Sequence, residues 1–376
     1  MVRLIVIVAL LILGATATTS AQSREIKPLL TNRVDTTDTN VRAVIQLFTD
    51  YINNRPDSTF DNPYWSDRDK SAHPDYYWAD VWLYQPKVLL DIYDPHILSV
   101  ERQGDYQVLR VLYYREGLEG VQAGSNPWAL QALYAARENG EWRFFDPLYI
   151  RTADWPREYY PPVLYIHDPS HEFDTLEAAR QKQQIDSIAT AFDLVIPDTI
   201  EYYLTDHVDN LMWALGLDWV LAPATGRTSQ ENNQILCALG TEYYGHEMVH
   251  VLFGDVDLPF ILSEGLATWL GGSSNEPFDI HAAALAEFLE TDTSITLQQL
   301  LDQPYQGGTT VHAYATGAIL FDQANRRGGI TTVRRLLNCK PDNKALQDTL
   351  AAVFEVPRDR LTVFWREIAD SYSADQ

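Results

Sequence analysis

Along the first third of the chain the spacing of apolar residues changes from a helical to a strand pattern. Val41, Val44, Ile45, Phe48 and Ile52 recur three and four apart, which predicts an amphipathic helix of about three turns. From Ile97 onward the texture is that of strands. Tyr106 to Tyr114 is rich in β-branched and aromatic residues, and Trp128 to Ala136 alternates bulky and small ones. Asn139-Gly140 follows, a pair suited to a type I′ hairpin because both central positions of that turn need positive φ. Trp142 to Phe145 is then the returning strand. These elements predict an N-terminal helix with a curved antiparallel sheet over residues 41–157. Residues 22–40 are polar and aperiodic, which predicts a flexible leader. Between Tyr64 and Tyr84 runs an aromatic-rich stretch, more in keeping with core packing than with a ligand pocket.

Pro147, Pro156, Pro161 and Pro162 mark a boundary near residue 158. Beyond it strands and helices alternate: Val163 to His167 as strand, Thr175 to Phe192 as helix, Ile200 to Leu204 as strand, His207 to Leu215 as helix and Gln234 to Leu239 as strand. The fold class expected is α+β, with an α/β unit over 158–376 ending in a helical part.

The first residues, Met1-Val2-Arg3, the apolar run Leu4 to Leu13 and the small residues up to Ala21 have the layout of a signal peptide, residues 1–21. The apolar run is shorter than the ~20 residues a membrane-spanning helix needs, and no cysteine stands at the cleavage point to take a lipid. The mature chain is therefore expected to be secreted or periplasmic, with no membrane span. A formal net charge of −24 disfavours nucleic acid as a partner. The two cysteines, Cys237 and Cys339, are free to pair in an exported protein, but spacing alone does not bring them together.

The chemistry concentrates in YGHEMVHVLFG, residues 244–254. His246 and His250 stand four apart, so a helix projects both from one face, with Glu247 beside the first. Composition alone produces such an H-E-x-x-H in roughly one chain in a hundred. The surroundings strengthen it: Thr241 is a fair N-cap, Gly254 a good stop, and the apolar neighbours predict a buried helix whose imidazoles need a partner. A metal is the simplest one. Catalytic zinc takes three protein ligands and leaves one position open. Phe253 and Val256 occupy the positions where a metzincin has glycine and histidine. The next helix, in LPFILSEGLATWLGG, carries Glu264 among apolar residues, and the short link lets it fold back; Glu264 is the expected third ligand.

HEMVHVLFG, LPFILSEGLATWL and the later HAYATGAILFDQANRRGGITTVRRLL are similar to the gluzincin clan of zinc peptidases, in particular its peptidase-MA-like branch, over residues 160–370. The N-terminal unit resembles the cone-shaped nuclear-transport-factor or cystatin-like folds. The gluzincin resemblance implies one Zn2+ held by His246, His250 and Glu264, with Glu247 as general base in peptide-bond hydrolysis. It also implies an oxyanion donor from the segment holding His312 and Tyr314. These two, two apart and preceding a helix, would face different ways, and Tyr314 is preferred. A sheet-edge strand, expected to be Gln234 to Leu239, would pair with extended peptide substrate. One departure is Thr268, where a thermolysin-like pattern has an aspartate that orients a ligand histidine. Glu242, one turn before His246, is a substitute, although an exposed acid at the helix N-terminus is the simpler role. The rival function is a non-catalytic ligand- or protein-binding module with a structural or inactive zinc domain; an intact Glu247 speaks against it.

Overall fold

The computed structural model describes residues 25–54, 62–72, 90, 92–116, 126–221, 223–274, 276–302 and 309–373. The expected signal peptide and most of the aromatic stretch from Tyr64 to Tyr84 lie outside the described residues. The chain is α+β, with two sheets and a helical C-terminal part. The first sheet begins with β1 (Leu29–Leu30), which runs parallel to β2 (Asp94–Gln103). It continues antiparallel through β3 (Tyr106–Tyr114), β4 (Ala129–Glu138) and β5 (Glu141–Phe145). Asn139 and Gly140 have φ of 51° and 87°, as the type I′ turn requires.

Helix α1 (Thr39–Asn54) buries Val41, Val44, Leu47, Phe48, Tyr51 and Ile52. This stripe packs with Ile97, Leu109, Val111 and Phe144 of the sheet. The segment expected to be a loose leader is tied to the same body. Ile26 and Val34 are buried, Leu29 and Leu30 pair with β2, and the Ile26 amide donates to Asn53 Oδ1 at 2.7 Å. Its few apolar residues are too sparse to show a period, yet Ile26 and Val34 are buried on a surface built elsewhere, while Leu29 and Leu30 stay exposed and are held by main-chain pairing.

The second sheet has the order β10–β11–β8–β7–β6. Its members are β6 (Arg157–Tyr160), β7 (Val163–His167), β8 (Ile200–Leu204), β10 (Gly226–Ser229) and β11 (Gln234–Cys237). β7, β8 and β11 are parallel, and β6 and β10 are antiparallel edges. Gln234 to Cys237 is thus interior, contrary to the expected edge position. The edge belongs to Gly226–Ser229, a polar tetrapeptide without strand texture.

A parallel sheet must be covered on both faces. Tyr165, Tyr202 and Ile235 face the helical core, whereas Ile166, Tyr203 and Leu236 join the core of the first sheet. β9 (Leu217–Val220), which follows the second sheet's β8 in sequence, pairs with β4. The two sheets therefore share buried side chains, and a strand crosses back over the boundary expected near residue 158. Cys237 and Cys339 are both buried and free. Among the described residues, no helix is long and apolar enough to cross a membrane.

Helix α2 (Asp67–Ala72) and helix α3 (Pro147–Arg151) flank the first sheet, α4 (Thr175–Phe192) accompanies the second, and α5 (Val208–Ala214) buries Leu211, Met212 and Ala214 in the core of the first. Then come α6 (Gly245–Leu252), α7 (Phe260–Gly271), α8 (Phe278–Thr291), α9 (Leu297–Asp302) and α10 (Thr309–Leu337). α7 and α10 cross at Gly265 and Gly317. A Cβ on Gly317 would sit 1.9 Å from the Ile261 carbonyl oxygen, and one on Gly265 would sit 2.3 Å from Gly317 Cα. Two backbones in contact leave no flexible neighbour to give way. Gly317→Ala is expected to lower stability by at least about 1–3 kcal/mol, read as a lower urea midpoint at unchanged slope; an unchanged midpoint would mean the crossing is looser than this.

Candidate metal centre

α6 carries the H-E-x-x-H residues, with Met248, Val249, Val251 and Leu252 buried. It starts at Gly245, with Tyr244 as an N-cap that makes no side-chain cap bond. The expected cap, Thr241, instead accepts the Tyr243 amide at 3.1 Å. A short link returns the chain so that α7 packs beside α6 and carries Glu264 to the histidines.

One donor atom each from His246, His250 and Glu264 lies within 4.8 Å of the other two. His246 Nε2 is 3.2 Å from Glu264 Oε2, and His250 Nε2 is 3.6 Å from Glu264 Oε1. A tetrahedral ion with bonds of ~2.0–2.1 Å spaces its ligands by about 3.3 Å. Two neutral imidazoles and a carboxylate at this spacing fit one zinc-sized ion.

What orients His246 is main chain. Its Nδ1 lies 2.8 Å from the Gly272 carbonyl oxygen, so Nδ1–H donates there and Nε2 keeps its lone pair for a ligand role. Gly272 has φ of 76°, and a Cβ on it would lie 2.4 Å from the Glu276 carbonyl oxygen, so only glycine presents its carbonyl this way. Thr268 is buried with its hydroxyl unpaired among the described residues. A turn past the end of α7 thus takes the place of the missing aspartate.

Burial pushes the Glu264 carboxyl up, but hydrogen bonds from His246 and His250 outweigh it and hold the group well below the usual carboxylate range. Burial likewise pulls the His246 imidazole down, and its contact with Glu264 reverses this and raises it above the ordinary value. Within the triad His246 and Glu264 favour each other's charged forms, so a cation bound there would compete with a proton.

Glu247 is buried on the same helix, 8% exposed. Its Oε2 accepts a hydrogen bond of 2.7 Å from Thr228 Oγ1 on β10. Sequence reasoning passed over Thr228, because GRTS carries neither period nor apolar content and its edge position arises from sheet assembly. Tyr314 and His312 lie within the first turns of α10, where they were expected to precede a helix. The Tyr314 ring stacks against His246 with centroids 5.9 Å apart, whereas His312 stacks on Phe288 of α8 at 3.8 Å.

No protein-family model and no curated protein matches the chain. Among solved structures it is similar to a point mutant of the M1 zinc metallopeptidase from Deinococcus radiodurans. The identity is 13% over 75% of this chain and 65% of that one, with a TM-score of 0.37. The same mutant bound to a Tyr-Ser-Ala substrate gives 15% identity, 72% and 64% coverage and a TM-score of 0.37. The matched region thus spans just under two thirds of those chains. Likeness at this level assigns no function.

Glu242, expected to be an exposed acid, is instead 1% exposed. Its Oε1 lies 2.9 Å from His171 Nε2 and accepts the Asp174 amide at 2.7 Å, while His171 Nδ1 lies 2.6 Å from Asp206 Oδ1. Burial depresses the His171 imidazole, yet the hydrogen bonds to Glu242 and Asp206 prevail and raise it. His171 ties the β7–α4 loop and the β8–α5 turn to the loop leading into α6. Because the folded-state value is raised, its contribution to stability is full below the unfolded value of ~6.5 and fades as pH climbs through the folded value. His171→Gln is therefore expected to be more destabilising at pH 5.5 than at pH 9 in paired denaturation curves; a penalty that grows with pH would contradict the assignment.

Proposed function

We propose that the chain is an exported zinc-dependent peptidase whose single Zn2+ is held by His246, His250 and Glu264. The observation that carries the reading is the convergence of two imidazoles and a carboxylate at ligand spacing, with a further buried carboxylate, Glu247, on the same helix. Export rests on the sequence of residues 1–21. Residues 158–376 are read as the peptidase unit and 41–157 as an accessory unit.

A bound Zn2+ supplies Lewis acidity, lowering the pKa of water toward ~7 and polarising a carbonyl. Glu247 takes the proton of the attacking water and then returns it to the leaving nitrogen, serving as base and acid in turn. Tyr314, stacked on His246, is the proposed hydrogen-bond donor to the oxyanion of the tetrahedral intermediate. Gly272 keeps His246 in the tautomer that leaves Nε2 for the ion.

The sheet edge favours a peptide as substrate. The Ala238 amide donates to the Thr225 carbonyl, which makes 225 and 238 a hydrogen-bonded pair. By alternation, 227 and 229 also bond inward, and the main-chain groups of Gly226 and Thr228 point to the free edge. An extended peptide added there meets the edge at the residue that touches Glu247.

The test compares the full chain with its Glu247→Gln and Glu264→Ala variants on an unfolded protein substrate. Glu247→Gln is expected to keep one equivalent of zinc and to lose roughly 10²- to 10⁴-fold in rate; Glu264→Ala is expected to lose zinc and activity together. Equal cleavage by wild type and Glu247→Gln, or none by zinc-loaded wild type, would favour the non-catalytic binding role.

Proton competition gives a second test. Zinc affinity is expected to fall as pH drops from 8 to 6, with net proton release on binding, because the raised His246 imidazole must be deprotonated first. Calorimetry in buffers of different ionisation enthalpy reads the released protons, and a pH-independent affinity would count against this ligand set.

A further inference from the structure

Glu247 has a single hydrogen-bond donor to its carboxylate among the described residues, and it comes from another element. Thr228 Oγ1 lies 2.7 Å from Glu247 Oε2 and 3.0 Å from the Glu247 carbonyl oxygen. A hydroxyl has one proton to give, and the shorter contact, to the side-chain oxygen, takes it. One carboxylate oxygen is thereby anchored, and Oε1 remains for a proton in transit.

The anchor is stiff where the glutamate is not. Glu247 has three side-chain torsions, whereas Thr228 is β-branched, with restricted χ1, on a strand held in register by β11 (Thr228↔Ile235). The next residue inward on the same face, Gly226, lies against the Tyr244 ring, where a Cβ would meet Tyr244 Oη at 2.3 Å. The backbone of β10 is thus fixed against the entrance to α6 at Gly226 and against Glu247 at Thr228.

We propose that Thr228 is the positioning residue for Glu247, its hydroxyl holding the general base in the orientation that accepts a proton. The inference rests on the peptidase reading for its kinetic consequence and on the Thr228–Glu247 contact for its structural one. Thr228 acts through Glu247 and not on the substrate's reacting atoms. Its main chain faces the free edge, so a change in substrate docking and a change in base orientation are separable: the first moves KM, the second kcat.

The test uses the zinc-loaded full chain with Thr228→Val, which keeps the shape and removes the hydroxyl, and Thr228→Ser, which keeps the hydroxyl. Thr228→Val is expected to lower kcat roughly 10- to 100-fold, the scale of a displaced catalytic group. KM and zinc affinity should stay within about 2-fold, because the main chain and the three ligands are untouched. Thr228→Ser is expected to recover most of kcat. A crystal structure of Thr228→Val should show the Glu247 carboxylate turned away from its wild-type position. Wild-type kcat in Thr228→Val, a serine variant as impaired as the valine one, or an unmoved Glu247 would each overturn the proposal. Should wild type cleave no peptide, the peptidase reading falls, and the Glu247 position in the two crystal structures still decides whether Thr228 sets it.

Discussion

Three ionisable side chains from two helices share one small, largely buried volume, and the C-terminal half is organised around holding them there. Each would resist burial alone, since a buried charge without a partner is far costlier than the same charge in water. Together His246, His250 and Glu264 satisfy one another at 3.2 and 3.6 Å, and a divalent cation would satisfy them better still. The site therefore depends on α6 and α7 lying side by side at the right depth, and much of the surrounding structure fixes that pairing.

Two devices set it. Gly265, next to Glu264, lets α10 cross in backbone contact with α7, which brings Tyr314 up against His246. Gly272, just past α7, turns its carbonyl onto His246 Nδ1. Helix α7 thus carries Glu264 in its first half, and the turn just past it supplies the carbonyl that orients His246. On the other side, β10 supplies the hydroxyl that touches Glu247. The residues of the site are held by a helix crossing, a glycine turn and a strand edge, all rigid elements of the scaffold.

The approach to α6 is anchored as firmly. Glu242 is buried under His171, and the Tyr165 and Tyr202 hydroxyls donate to the Glu242 and Thr241 carbonyls at 3.2 and 2.8 Å. Gln181 accepts the Tyr244 amide at 2.8 Å. These contacts satisfy main-chain groups that precede a helix lacking a side-chain cap. They also explain why an acid that reads as solvent-facing on a helical wheel is buried: at position 242 there is no helix yet.

Local pattern determined a large part of this protein. The α1 stripe, the Asn139-Gly140 hairpin, the strands Val163–His167 and Ile200–Leu204, the helix Thr175–Phe192 and the four-residue spacing of His246 and His250 follow from periodicity and turn chemistry, which act between near neighbours. Tertiary structure decided what depends on partners far along the chain. It put Gly226–Ser229 at the sheet edge, sent β9 to the first sheet and ordered residues 25–34 against β2. It buried Glu242, and it set the Gly272 carbonyl against His246. None of these has a local signature, because a short polar strand, a lone carbonyl or a single acid acquires its setting only when distant segments close around it.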